Sequence, residues 1–233
     1  EIASVNGITA EDKTYDGNTH ADLNHSGAAF ANMIAGDQLS VANADGSFRD
    51  KNAADGKTVD ITGITLGGAD AHNYTLLDTT ASATADIAKA EIAGVNGITA
   101  EGRTYDGTTD ATLNTAEAFF DGKILNDVLT VTNANGSFDN KNAGDGKTVD
   151  ITGIALGGAD AHNYTLANTT ATATADIAKA EIASVNGITA EDKTYDGNTH
   201  ADLNHSGAAF ANMIAGDQLS VANADGSFRD KNA

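Results

Sequence analysis

The 233-residue chain has no cysteine, no proline and no tryptophan. Without cysteine it can hold neither a disulfide nor a thiolate-ligated metal, and secreted and cytosolic settings both stay open. Aromatic residues make up only 5%, so any core must be a lean one of Ile, Val, Leu, Phe and Tyr. Basic residues are scarce as well: 13 Lys and Arg stand against 33 Asp and Glu, a formal net charge of −20. Such a charge repels nucleic acid and anionic lipid, which excludes both as partners. It suits solubility, mutual repulsion along a fibre, and cation binding. No apolar run is long enough to span a bilayer, and no signal-peptide or lipidation pattern is present, so no membrane partner is expected for this segment.

What the sequence does have is repetition, which decides architecture before any local reading. The run EIASVNGITAE at Glu1 returns as EIAGVNGITAE at Glu91 and EIASVNGITAE at Glu181, a period of 90 residues. Residues 181–233 repeat residues 1–53 letter for letter, while the second copy differs from the first at 26 of 90 positions, mostly between residues 20 and 50. A period of 90 is too long for one solenoid turn and long enough for a small domain with its own core. The copies run 1–90, 91–180 and 181–233 in one frame. A frame of 54–143 and 144–233, with 1–53 partial, fits equally well.

Within a copy, short alternating runs separated by Asn-Gly, Asp-Gly and Gly-Gly predict strands and turns. Expected strands are Ile2 to Ala10 with a bend at Gly7, Lys57 to Thr62 continuing past Gly63 to Leu66, Asn73 to Leu76, and Thr80 to Ile87. Tyr15-Asp16-Gly17 reads as a turn. Asn43-Ala44-Asp45-Gly46-Ser47, flanked by Leu39, Val41 and Phe48, reads as a hairpin. Gly27 to Gly36 fits a helical turn or a looped connection. Six or seven strands per copy predict an all-β fold of tandem small antiparallel β-sandwich modules. The run Asp86 to Ala93 between copies lacks Gly and Pro, so a continuous, fairly stiff joint is expected.

Four strings carry a family resemblance: Lys13-Thr14-Tyr15-Asp16-Gly17, Asp50-Lys51-Asn52, Gly56-Lys57-Thr58-Val59, and Gly68-Ala69-Asp70-Ala71-His72-Asn73-Tyr74-Thr75-Leu76. Together they resemble the YDG repeat domain of large filamentous-haemagglutinin-like bacterial adhesins. In the second copy the motif positions are Tyr105, Asp106, Gly107, Asn163 and Tyr164, with Arg103 in place of Lys13 and Asn140 in place of Asp50. The resemblance implies an immunoglobulin-like module serving as stalk or spacer in an exported or cell-surface fibre. It brings no catalytic residues.

Candidate chemistry is sparse. Asp45, Asp50 and Asp55 are the calcium candidates, as hard oxygen donors close in sequence, although their spacing is not that of an EF-hand. A looser calcium site between modules would draw on Glu1, Asp86 and Glu91. Turn chemistry explains the Asp-rich loops without a metal, because the second copy puts Asn135 and Asn140 where the first has Asp45 and Asp50. Asp70 and His72 lack further metal ligands nearby, and His20, His25, His200 and His205 read as surface residues. A Lys–Asn isopeptide bond would have to join Lys51 or Lys57 to Asn73. Tyr15, Tyr74, Tyr105 and Tyr164 are expected to cap the core, with sugar stacking as the rival role. No serine lies in a nucleophile elbow and no phosphate loop is present, so no enzyme and no cofactor are expected. The expected function is a stalk at the bacterial cell surface whose partners are the neighbouring modules of the same chain. The alternatives are binding of a host or matrix glycan or protein through residues 20–50, and homotypic assembly by strand exchange.

Overall fold

The computed structural model describes residues 1–232; Ala233, in the third copy, lies outside the described residues. Alternation of apolar and polar residues makes short strands, and the first copy has nine: β1 (Val5–Asn6), β2 (Thr9–Ala10), β3 (Lys13–Thr14), β4 (His20–Ala21), β5 (Leu23–Asn24), β6 (Ala29–Phe30), β7 (Ser40–Phe48), β8 (Ala54–Gly67) and β9 (Ala81–Ala88). A single 3₁₀ turn, Ala71–Asn73, lies between β8 and β9. The second copy has equivalent elements. The fold is all-β at the 90-residue period, with no α-helix among the described residues. Among the described residues no helix is long and apolar enough to cross a membrane.

Five strands form one curled sheet in the order β3-β9-β8-β7-β4. The long pairs β7–β8 and β8–β9 are antiparallel, and β3 joins the edge parallel to β9 through Lys13↔Ile87 and Thr14↔Ala88. Two small antiparallel ladders, Val5↔Phe30 and Thr9↔Asn24, fold the N-terminal third of the copy onto this sheet. Ile2 bridges in parallel to Leu76, which anchors the opening of the copy. Val59 and Ile61 alternate inward, and register shifts between Asn43 and Asp45 move the inward phase so that Ile64 is also buried. With Val5, Ile8, Tyr15, Phe48 and Ile87 they form one continuous core. Burial of apolar surface at roughly 25 cal/mol per Å² is the main force holding it.

One local expectation is corrected and another is decided between its two alternatives. Asn43 to Ser47 is no hairpin; it lies inside the continuous strand β7. Gly46 is needed there for a different reason. A Cβ on it would come within 2.7 Å of the Ala21 carbonyl oxygen and of Leu23 Cδ2, because β4 pairs against β7 there with Ala21 opposite Gly46. Gly136 and Gly226 stand in the same place, and a Cβ on either would lie 2.7 Å from Leu113 or Leu203. The reversal between β7 and β8 comes after Phe48, where Asp50 Oδ1 accepts the Asn52 N–H at 2.9 Å. Of the two readings of Gly27 to Gly36 the looped connection holds: Ala29 and Phe30 form the two-residue strand β6, with turns and irregular chain on either side.

Contacts gather the chain into two compact units. One comprises Glu1–Ile98, Thr115–Asn135 and Ile151–Ala171; the other comprises Thr99–Asn114, Gly136–Asp150 and the chain from Thr172 onward. The division falls within the second copy. The residues that join the first copy to the second therefore lie inside the first unit, and those that join the second to the third lie inside the second unit.

Candidate functional site: the repeat junction

The backbone crosses from the first copy to the second almost without a break, as the composition of Asp86 to Ala93 predicts. Only Lys89 separates β9 from the next strand, β10 (Ala90–Ile92). Strand β10 pairs in parallel with Tyr164–Leu166, and Ile92 is wholly buried. This parallel pair places the Asn-Tyr-Thr-Leu segment of the second copy against the Tyr-Asp-Gly turn of the first.

At the centre of the junction sits Asp127, whose side chain is 2% exposed. Its Oδ2 accepts hydrogen bonds from Tyr15 Oη at 2.8 Å and from Tyr164 Oη at 2.6 Å. Its Oδ1 accepts from Lys51 Nζ at 2.8 Å, and that ammonium also lies 3.5 Å from Asp160. Two residues thus come from the first copy and three from the second. The rings of Tyr15 and Tyr164 meet edge to face, 5.5 Å between centroids, and the Lys51 ammonium lies over the Tyr15 ring at 5.6 Å. Beside them the buried Asn163 accepts the Ala53 N–H on Oδ1 at 2.8 Å. Tyr164 Oη accepts the Ile124 N–H at 3.0 Å, and Asp160 accepts the Val128 N–H at 2.8 Å. Every strong polar group in this buried patch has a partner, the condition under which such groups stabilise rather than cost.

The electrostatics follow from this geometry. Burial works against the charge on Asp127, but the hydrogen bonds from Lys51, Tyr164 and Tyr15 outweigh it and hold the carboxyl below the usual carboxylate range. The bonds to Asp127 and Tyr15 raise the Lys51 ammonium well above its ordinary value. Burial, followed by the bond to Asp127, pushes the Tyr164 phenol up strongly. The cluster is therefore a charged, doubly phenol-capped ion pair throughout the neutral range.

Each residue of the Tyr-Asp-Gly motif has a separate task. Tyr15 is 2% exposed and reaches into the junction. Asp16 closes the turn, accepting the Asn18 N–H at 3.1 Å and pairing with Lys13 at 2.7 Å. Gly17 sits at φ +82°, and a Cβ on it would come within 2.9 Å of Ile124 Cγ2 of the next copy. Lys13 lies over the Phe48 ring and also donates to the His20 carbonyl. In the second copy Arg103 does the same work, over Phe138 and against Asp106. The junction chemistry recurs there: Tyr105 Oη donates to Asp217 at 2.7 Å, and Lys141 Nζ donates to Asp217 at 3.2 Å.

The tyrosines fulfil the expectation of buried caps in part, since their hydroxyls find a carboxylate rather than backbone. In the first copy Tyr74 Oη likewise bonds Asp37, and Asn73 is exposed. The calcium candidates are not gathered together: Asp45, Asp50 and Asp55 are all exposed, and Asp50 is held by Lys57 at 2.6 Å. Asp86 accepts the Gly56 N–H at 2.6 Å and lies with Asp12, while Glu1 and Glu91 are exposed. Among the described residues no group of three or more His, Asp or Glu is placed to hold a metal. Asp70 accepts the Gln38 N–H, and His72 is exposed. Lys51 and Lys57, the isopeptide candidates for Asn73, are both engaged by carboxylates, as are Lys141 and Lys147, the candidates for Asn163. The residue missed by the sequence reading is Asp127, with its counterparts Asp37 and Asp217. A signal was there: of the ten positions 31–40, only Ile34, Asp37 and Leu39 are unchanged in the second copy. Their counterparts Ile124, Asp127 and Leu129 all belong to the junction side of the core.

No curated protein and no solved structure matches the chain. The family model described as the YDG domain does, over residues 2–83, 89–173 and 178–233. Nearly the whole chain is covered, in three segments that follow its three copies: the protein belongs to the YDG domain family.

Proposed function

We propose that the repeats form a structural stalk or spacer of a bacterial cell-surface or secreted adhesin, projecting an adhesive region, and that they carry no catalytic activity. The observation that carries this reading is the use made of the motif residues. Tyr15, Lys51, Asn163 and Tyr164 are committed to joining one copy to the next, with Asp127 as the acceptor that Tyr15, Lys51 and Tyr164 share. Side chains arranged to bind a soluble ligand would face solvent; Tyr15, Asn163, Tyr164 and Asp127 are buried, with the partly exposed Lys51 reaching in from the rim, so their task is to fix a joint. A joint made of a continuous backbone, a parallel strand pair and a saturated ion pair resists bending and needs no bound ion.

Small-angle scattering on the 233-residue chain in EDTA tests the reading. A maximum dimension that grows by one module length per repeat, unchanged when calcium is added, supports a stiff spacer. A strand of about ten residues contributes roughly 33 Å at 3.3 Å per residue, which sets the scale. A compact particle, or one that stiffens only with calcium, would overturn it.

A further inference from the structure

The turn that follows Leu113–Asn114 has the same backbone in all three copies and carries a different side chain in the second. The Ala118 N–H bonds the Thr115 carbonyl at 3.1 Å, as Ala28 bonds His25 and Ala208 bonds His205 at 3.0 Å. The adjoining ladder also keeps its register, Val95↔Phe120 matching Val5↔Phe30. His25, expected at the surface, is half-buried. Its Nε2, at the far end of the ring, is closed to solvent and has no hydrogen-bond partner among the described residues; the same holds for His205. That atom can be buried only if the imidazole turns inward. In the second copy, where Thr115 replaces the ring, a cavity of about 230 Å³ lies beside it, walled by Ala118, Phe120, Leu129 and Val131 with the exposed Thr130 at its rim. The four apolar walls are the same residues in the first copy, Ala28, Phe30, Leu39 and Val41. All the lining residues fall within one compact unit.

We infer that this cavity is a binding site for a small, uncharged, planar nitrogen heterocycle of the imidazole class, seated where His25 and His205 place their own rings in the other copies. Size, polarity and charge agree on this guest. An apolar cavity of roughly 150 Å³ takes a benzene ring, and drug-sized ligands need about 300 Å³ or more. The second-copy cavity therefore accepts a single ring with a short substituent. Phe120 offers its ring to an aromatic guest. The hydroxyls of Thr115 and Thr130 can donate to a bare ring nitrogen or accept from a ring N–H, a pairing that Nε2 of His25 lacks. None of the residues lining the cavity is charged, so an ion entering it would lose its water without gaining a partner. The difference between His25 and Thr115 thus turns a filled space into a receptive one. The inference goes beyond the stalk reading and does not depend on it.

The test is a methyl NMR titration of the whole chain with 4-methylimidazole at about pH 9, well above the ordinary imidazole value of about 6.5, so that the ligand is neutral. Saturable shifts of the Ala118, Leu129 and Val131 methyl signals are expected at roughly millimolar ligand, while those of Ala28, Leu39 and Val41 stay in place. Thr115→His, which installs the residue that the other two copies carry at this turn, should abolish the shifts. His25→Thr should open a second site and bring the Ala28 and Val41 methyls into the titration. No saturation at tens of millimolar ligand would overturn the inference, as would equal shifts in all three copies. Binding unchanged by Thr115→His, or no second site in His25→Thr, would show that the histidine ring does not mark this place and would overturn it too. Equal affinity for cyclohexanol or methyl glucoside would leave a site for any ring and refute the heterocycle assignment.

Discussion

Replacing Asp127 by Ala should open the first junction while leaving the core of the first copy folded. The carboxylate is buried and accepts three hydrogen bonds, from Tyr15, Tyr164 and Lys51. Its removal strands two phenol donors that are 2% and 4% exposed. A buried unsatisfied donor costs about 1–3 kcal/mol. Lys51 loses less, since its side chain is 37% exposed and keeps Asp160 at 3.5 Å; about 0–1 kcal/mol is a fair share for such a pair. The total is about 2–7 kcal/mol, or roughly thirtyfold to a hundred-thousandfold in the opening equilibrium at about 1.4 kcal/mol per tenfold. Amide hydrogen exchange reads this directly, and the Ala53 N–H, bonded to Asn163, is the reporter. Its exchange should accelerate by that factor while the amides of Val59 and Ile61 change far less. Tyr15→Phe, which leaves the carboxylate two donors, should cost about 1 kcal/mol alone and almost nothing when combined with Asp127→Ala. An Ala53 amide in Asp127→Ala that exchanges within about threefold of wild type would refute the reasoning.

Three further outcomes follow from other parts of the structure. Because the Asp127 carboxyl is held below its ordinary value in the folded state, its contribution is fully present above the unfolded value of about 3.9 and is lost as pH falls through the depressed one. Exchange at Ala53, corrected for intrinsic rates, should be flat from about pH 5 to 8 and rise only below about pH 4; a rise near pH 6 would contradict the assignment. Gly46→Ala drives a Cβ to 2.7 Å from the Ala21 carbonyl oxygen and should lower stability by about 1–3 kcal/mol in a urea melt. Were Gly46 a turn residue, the cost would instead come from its φ angle, which is not positive. Arg103→Lys should move a thermal melt by no more than about 0.5 kcal/mol, since Lys13 holds the same turn in the first copy.

Much of the fold could be read from the chain. The alternation in Lys57 to Thr62 and Ala81 to Ile87 reports one-sided burial, and both runs are strands. Gly46 misled because an Asp-Gly pair serves a tight reversal and a close approach of a paired strand equally well, and only the neighbouring strand at Ala21 distinguishes them. The site was visible as strings and hidden as an assembly. Tyr15 and Tyr164 were legible as buried aromatics, but the acceptor of Tyr15 lies 112 positions along the chain. That separation is one period plus 22, which no helical or strand spacing rule addresses. The acceptor also lies in the segment where the copies differ most, so variation around Asp127 masked its own constancy.

Every full copy carries both sides of the joint: Tyr, Lys and Asn-Ala at one end, Asp, Asn and Tyr at the other. These residues are the same in the first and second copies even though 26 other positions differ. The joint is thus directional and indifferent to which copy comes next. Duplicating or deleting one whole period, as unequal recombination between near-identical gene segments does, leaves every remaining joint intact. Length in such an array can change in steps of 90 residues without any compensating mutation, and residues 1–53 and 181–233 are identical in sequence.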